Sequence, residues 1–264
     1  MSKDLDTAAK ALRLDVLKLA ANAGAEGNAV HIAPALSIVE ILAVIFGKTL
    51  RQNDIFILSK GHGGLAYYAA LKEAGLISDE QLLTYSTDGS DFTAHPSKSI
   101  ENGIVSSNGS LGMGLSYACG LALAAKKRGN DTLVYVLLGD GELNEGSNWE
   151  AIMFARQQKL GNLVAIVDRN GMQSDGSSSD IISVDHKSVF VSFGWQAQVC
   201  DGHSTDELAA ALASPENDLP KVIIAKTVKG KGVSFMENSN IWHHNRLSKE
   251  QYQNALREVN CVGV

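Results

Sequence analysis

Apolar positions near the N-terminus recur in steps of three and four: Leu5, Ala8, Ala9, Leu12, Val16, Leu19 and Ala20. That spacing lays one apolar stripe along a helix over residues 5–23. A glycine-bearing loop, Gly24 to Asn28, follows, and Ser37 to Phe46 is predicted as a second apolar helix. Ile55 to Leu58 is a short apolar run, read as a strand, that enters Ser59-Lys-Gly-His62-Gly-Gly64; a helix then covers Leu65 to Ala74. Residues 86–109 are polar and glycine-containing, a loop long enough to be functional or mobile. Leu111 to Lys127 is helical, with small and apolar residues on most sides.

The second half alternates more sharply. Thr132 to Leu138 and Leu163 to Asp168 are β-rich runs flanking a helix at Trp149 to Gln158. Trp195 to Cys200 and Lys221 to Thr227 are two more, with a helix from Ser204 to Ala213 between them. Ser78-Asp-Glu-Gln81, Ser204-Thr-Asp-Glu207 and Ser248-Lys-Glu-Gln251 have capping-box spacing, in which two side chains satisfy free amides at a helix start. Strand, helix, strand with short connections implies a mainly parallel sheet, and purely apolar strands imply helices on both faces. The expectation is one doubly wound α/β domain over residues 1–264, with a helical N-terminal lead-in and a C-terminal helix.

Composition narrows the function. The chain has 264 residues and a formal charge of −6, with no basic run, which argues against nucleic acid and membrane surfaces as partners. The longest apolar stretch, Ile32 to Phe46, is interrupted by Glu40 and falls short of the ~20 residues a spanning helix needs. The first residues lack the apolar core of a secretory signal. Cys119, Cys200 and Cys261 are scattered and odd in number, so they read as reduced thiols in a cytoplasmic protein. No GxGxxG or GxxxxGK[ST] pattern supports a nicotinamide or P-loop site.

Chemistry concentrates at strand ends, where open α/β sheets bind ligands. Val136-Leu-Leu-Gly139-Asp140-Gly141 runs from a strand into a turn whose glycines permit close backbone approach and whose Asp is a hard oxygen donor. Asp168-Arg-Asn170-Gly-Met172 ends the next strand, one β-α-β crossover later. A carboxylate and an amide oxygen at one sheet edge suit Mg²⁺ shared with a phosphate; the plain alternatives are tight Asp-Gly and Asn-Gly turns.

Gly-Asp-Gly followed by this Asn resembles the thiamin-diphosphate binding motif, and the segment Leu137 to Gln173 resembles the transketolase branch of that family. Ser59-Lys-Gly-His62-Gly, Asn108-Gly-Ser-Leu-Gly112-Met-Gly, Asp201-Gly-His203 and Thr227-Val-Lys-Gly-Lys-Gly232 extend the likeness over nearly the whole chain. The resemblance implies thiamin diphosphate and Mg²⁺ as cofactors. Asp140, Asn170 and the Met172 carbonyl would hold the metal. Gly139 and Gly141 would line the diphosphate, His62 and His243 would hydrogen-bond it, and Gly109 and Leu111 would line the aminopyrimidine pocket. His31 and His95 would face the thiazolium carbon and the substrate, and Glu145 would be a buried acid linking paired active sites. His203 and His186 read as structural hydrogen-bonders, and Lys229-Gly-Lys231 as a loop packing near the cofactor, with phosphate binding as the alternative. His243 and His244 compete for one position.

A transketolase resembles this chain followed by a pyrimidine domain and a C-terminal domain. The expectation is therefore the N-terminal subunit of a two-chain transketolase, assembled as α2β2 with a separate C-terminal subunit. It would transfer a two-carbon ketol unit between sugars, usually phosphorylated. The alternatives are a non-catalytic cofactor- or partner-binding relative, a 2-oxo acid dehydrogenase α chain, a deoxyxylulose-phosphate synthase-like subunit, or a plain nucleotide-binding domain. Val30-His-Ile-Ala-Pro34-Ala-Leu-Ser37 departs from the family's glycine-rich pattern on the substrate side and suggests a non-standard ketose or acceptor.

Overall fold

The computed structural model describes residues 4–213 and 218–261. The chain opens on α1 (Leu5–Ala25), capped by the Asp4 carboxylate accepting from the Thr7 amide. Next come α2 (Ala33–Leu36), α3 (Val39–Val44), a π-helical turn over Ile45–Thr49, and β1 (Ile55–Leu58). α4 (Gly64–Glu73) and α5 (Asp79–Leu82) lead through a long loop to α6 (Gly114–Arg128). Then follow β2 (Val134–Gly139), α7 (Gly146–Gln157), β3 (Leu163–Arg169), α8 (Ser178–Ile181) and α9 (His186–Ser192). β4 (Gln196–Asp201), α10 (Thr205–Ala211), β5 (Lys221–Lys226) and α11 (Lys249–Cys261) complete the fold.

The five strands form one sheet in the order β1-β2-β3-β5-β4, and every pair is parallel. Alternate side chains feed two cores. Tyr135, Leu137, Val164, Ile166 and Ile223 pack with α1, α3 and α4 on one face. Val134, Val136, Leu138, Ala165 and Val167 pack with Leu115 of α6, Ile152 of α7 and Phe190 of α9 on the other. Burial on both faces is why β2 and β3 are unbroken apolar runs instead of alternating ones. Trp149 lies tilted against Phe190 and Phe193, with ring centroids 6.4 Å away in each case, so its role is packing.

Several boundaries depart from the sequence expectation. Residues 37–46 are not one helix: Ser37 closes the end of α2, the backbone breaks at Ile38 (φ −114°, ψ 8°), and α3 runs from Val39 into the π turn. α6 begins at Gly114, not Leu111, because the backbone turns through a left-handed Gly112 (φ 84°) first. The boxes at Ser78 and Ser248 close in both directions. The one at Ser204 closes only halfway: Ser204 accepts from the Glu207 amide, but Glu207 turns back to the Asp201 amide. Among the described residues no helix is long and apolar enough to cross a membrane.

Parallel pairing brings the carboxyl ends of the strands to one edge. The register aligns Leu58 with Leu137, Gly139 with Asp168, and Asp168 with Ala225. The residues that follow these positions therefore emerge side by side.

Candidate functional site

Lys60, just past β1, is buried and donates through Nζ to Asp168 Oδ2 and to the Pro34 carbonyl (3.2 Å). Asp168, buried at the end of β3, also accepts from Ser37 Oγ (2.8 Å), Thr227 Oγ1 and Asn170 Nδ2 (2.8 Å). Burial pushes its carboxyl up, but the Lys60 ammonium and these hydrogen bonds outweigh it and hold the group below the usual carboxylate range. The Asn170 amide is thereby oriented, with Oδ1 accepting from the Met172 amide at 3.0 Å.

Asp140 sits in the turn after β2. Its Oδ1 accepts from the Gly141 amide (2.8 Å) and its Oδ2 from the Gly171 amide (2.7 Å) and Ser178 Oγ (3.2 Å). Burial, reinforced by the nearby Asp168 charge, raises its pKa to about 6. Beneath the turn Glu142 is buried and accepts from Ser59 Oγ and from the Gly112 and Gly139 amides, both at 3.0 Å. α6 closes over this network where a Cβ on Gly114 would stand 2.9 Å from Ser59 Cα, closer than real Cβ atoms come. Gly114→Ala is therefore expected to cost about 1–3 kcal/mol of stability by overpacking. Denaturant titration of the two chains checks this, and an unchanged midpoint would refute the close packing.

A cavity of about 230 Å³ opens above these groups. It is lined by Gly139, Asp140, Gly141, Asn170, Met172, His62, Leu111, Glu145 and His243 among the sequence-predicted residues. Lys60, Gln173 and Lys229 also line it. Sequence favours a packing role for Lys229 over phosphate binding, yet it is buried, donates to the Gln173 carbonyl (2.9 Å), and has its pKa lowered to about 8 by burial and by Lys60. Gly109 lies apart from the cavity wall, against His95: a Cβ there would be 3.8 Å from the His95 Cβ. Glu145 is exposed at the cavity in the single chain, and Glu142 is the buried acid of this turn.

Five imidazoles cluster beside the cavity, with His31 at their centre. Ring centroids lie 5.9 Å from His31 to His62, 5.2 Å to His95, 5.3 Å to His243 and 4.5 Å to His244. Burial and neighbouring charge lower His31 to about 3 and His243 to about 4, and depress His62 and His95 as well. These four rings are neutral near pH 7, so each offers one donor and one acceptor. Nδ1 of His31 and of His243 is buried with no partner. His243 faces the cavity and feels the charges of Lys229 and Lys60, whereas His244 is exposed and lies over His31. Geometry thus separates two residues that are equivalent in sequence. Among the described residues no group of three His, Cys, Asp or Glu side chains is arranged to hold a metal ion.

Known proteins match this architecture. The domain family described as transketolase, thiamine diphosphate binding domain, matches residues 2–260. The chain is 40% identical to an apulose-4-phosphate transketolase subunit from Actinobacillus succinogenes, over 97% of this chain and 96% of that protein. It is 37% identical to the 6-deoxy-6-sulfo-D-fructose transketolase subunit SqwG of a Clostridium species, over 88% and 89% respectively. Its fold is similar to the transketolase from Leishmania mexicana, with a TM-score of 0.87 and 25% identity. That likeness covers 98% of this chain but only 42% of the Leishmania chain.

Proposed function

This chain belongs to the transketolase family through its thiamine diphosphate-binding domain, and from that membership we propose that it is the N-terminal subunit of a two-chain transketolase. The observation that carries the reading is the cavity at the sheet edge. Its lining combines the cationic and hydrogen-bonding side chains of Lys60, Lys229, His62 and His243 with the oxygens of Asp140 and Asn170. A diphosphate suits the first set and Mg²⁺ the second. The unpartnered Nδ1 of His243 and Nε2 of Gln173 leave polar capacity for a ligand to satisfy. The residues present therefore fit thiamine diphosphate with Mg²⁺: Asp140, Asn170 and the Met172 carbonyl for the metal, Gly139, Gly141, the lysines and the imidazoles for the diphosphate. Leu111 lines the cavity toward the remainder of the cofactor, and Gly109, apart from its wall, backs His95.

When bound, thiamine diphosphate supplies the carbon that attacks a ketose carbonyl and carries the two-carbon unit to an aldose. The chain binds and orients that group. His31 and His95 present neutral rings on the substrate side, able to hydrogen-bond sugar hydroxyls and to pass a proton at a ring nitrogen. Glu145, exposed beside the cavity, is placed to meet a second chain.

Two relatives of matching length are themselves named as subunits, which supports a separate partner carrying the pyrimidine and C-terminal domains. An α2β2 assembly follows if paired sites form as in the expected dimer. Three free thiols, two of them buried, support a cytoplasmic setting. Both relatives are named for unusual sugars, which agrees with the Ala33–Pro34 departure beside the cavity.

The test is reconstitution. The chain mixed with its partner, thiamine diphosphate and Mg²⁺ is expected to transfer ketol units, while neither chain does so alone, and a chelator stops the reaction. Apulose 4-phosphate and 6-deoxy-6-sulfo-fructose are the first donors to try. If xylulose 5-phosphate and ribose 5-phosphate prove the best pair, the specialised-substrate reading fails. No turnover in a complex that binds the cofactor would favour a non-catalytic relative.

A further inference from the structure

The turn that carries Lys229 into the cavity is gripped from behind by charges that never reach the cavity. Glu40, on α3, is buried and accepts from two sides. Arg13 of α1 donates to its Oε1, and Nδ1 of His203, from the loop between β4 and α10, lies 2.9 Å from its Oε2. Both partners reach onward to the Lys229 turn. Nε2 of His203 accepts from the Val228 amide at 2.8 Å, and Nε of Arg13 donates to the Lys231 carbonyl at 3.0 Å. One carboxylate therefore braces the residues on either side of Lys229–Gly230.

The turn needs such bracing. Its ammonium is buried and faces a second buried cation, Lys60, so both desolvation and repulsion favour its escape to water. Gly230 takes a left-handed φ of 82° and bonds to the Ala33 carbonyl at 3.0 Å, a conformation that bends Lys229 inward. The hydrogen bonds also fix the chemistry of the clamp. Accepting from Val228 requires an unprotonated Nε2 on His203, so the ring is neutral with its proton on Nδ1, donated to Glu40. Glu40 must stay ionised to accept from Arg13 and His203 at once.

We propose that Glu40, His203 and Arg13 form a positioning clamp that holds Lys229 in the cofactor cavity, with Glu40 selecting the His203 tautomer that grips Val228. This rests on the reading of Lys229 as a ligand of the cofactor diphosphate. Glu40→Gln keeps the shape; Arg13 can only donate, so the amide oxygen stays with it and the amide N–H turns toward Nδ1 of His203. The ring can then accept only by moving its proton to Nε2, which faces the Val228 N–H and breaks the grip.

The experiment uses the full chain, assembled with its partner and titrated with thiamine diphosphate at fixed Mg²⁺. Glu40→Gln is expected to raise the cofactor dissociation constant about tenfold, the scale on which an orienting partner behind a ligand acts, with kcat at saturating cofactor nearly unchanged. Nitrogen NMR of His203 is expected to report the Nδ1–H tautomer in the wild type and the Nε2–H tautomer in Glu40→Gln. In a Lys229→Met background the same substitution should change affinity less than about twofold, because coupled residues do not add. Should Glu40→Gln fail to fold, His203→Gln and His203→Phe decide the matter: the carboxamide can still accept from Val228 and retains affinity, the phenyl ring cannot. Effects of Glu40 and Lys229 that multiply independently, or a wild-type Nε2–H tautomer, would overturn the clamp. A wild-type complex that ignores thiamine diphosphate, or a Lys229→Met chain that binds it normally, overturns instead the cofactor reading beneath it.

Discussion

Asp140→Ala is expected to lower Mg²⁺-dependent affinity for thiamine diphosphate by about 100-fold or more, beyond the 10–100-fold that loss of a supporting partner costs a metal site. Asp140 contributes the only carboxylate among the three oxygens that Asp140, Asn170 and Met172 offer at this edge, and Mg²⁺ is bound by one or two carboxylates plus phosphate. Its side chain also ties the Gly141 and Gly171 amides together, so the turn itself loosens when it is cut. Calorimetric titration of the partner-bound chain with and without Mg²⁺ measures the loss. Wild-type affinity in the variant would remove Asp140 from the site.

The same carboxyl sets a pH signature. Its pKa, raised to about 6, lies above the ordinary carboxylate value, so the free folded chain holds a proton that the unfolded chain releases. Stability of the free chain from this group is present at low pH and lost as pH rises through about 6. The metal needs the ionised form, so Mg²⁺ affinity is expected to run the opposite way, falling about tenfold per unit as pH drops below 6. Opposite slopes for free-chain stability and metal affinity across pH 5–7 separate this cause from general acid unfolding. Parallel slopes would assign the titration to other groups.

Much of this site is legible in the sequence because its residues sit next to strong local signals. β1 is an apolar run with a polar motif at its end, so spacing alone places both the strand and His62. Asp140 and Asn170 follow two buried strands joined by one helix, and parallel pairing does the rest. The 37–46 segment reads as one helix because its break falls at Ile38, an apolar residue that gives no glycine or proline signal. α8 and α9 carry no apolar stripe long enough to announce them. Lys60, Lys229 and Glu142 escape a sequence reading for a related reason. A Lys or Glu reads as a solvated residue, and only the folded chain shows which charges are buried against partners. The doublet His243-His244 is symmetric in sequence and becomes asymmetric only when one ring meets the lysines and the other meets solvent.

Lys60→Met is the substitution expected to cost the fold most. It removes the ammonium facing Asp168 while leaving that carboxylate buried among the neutral donors Ser37, Thr227 and Asn170. Breaking a buried pair by deleting one partner costs about 3–5 kcal/mol, because the surviving charge is stranded. Asp168 orients Asn170 and holds the start of the turn leading to Lys229, so the damage reaches two parts of the cavity lining, and cofactor binding is expected to fall with stability. The pH dependence tells this cause from simple loss of packing. In the wild type Asp168 is held below its ordinary pKa, so its contribution is present at neutral pH and lost as pH falls through that depressed value. Without Lys60 burial dominates and lifts the carboxyl above its ordinary value, so the penalty is full at neutral pH and relieved on acidification as the group takes up a proton. Denaturation midpoints of the two chains should therefore converge between pH 7 and pH 5. A gap that stays constant over that range would mean that lost packing around the lysine stem, and not an unpaired Asp168, accounts for the destabilisation.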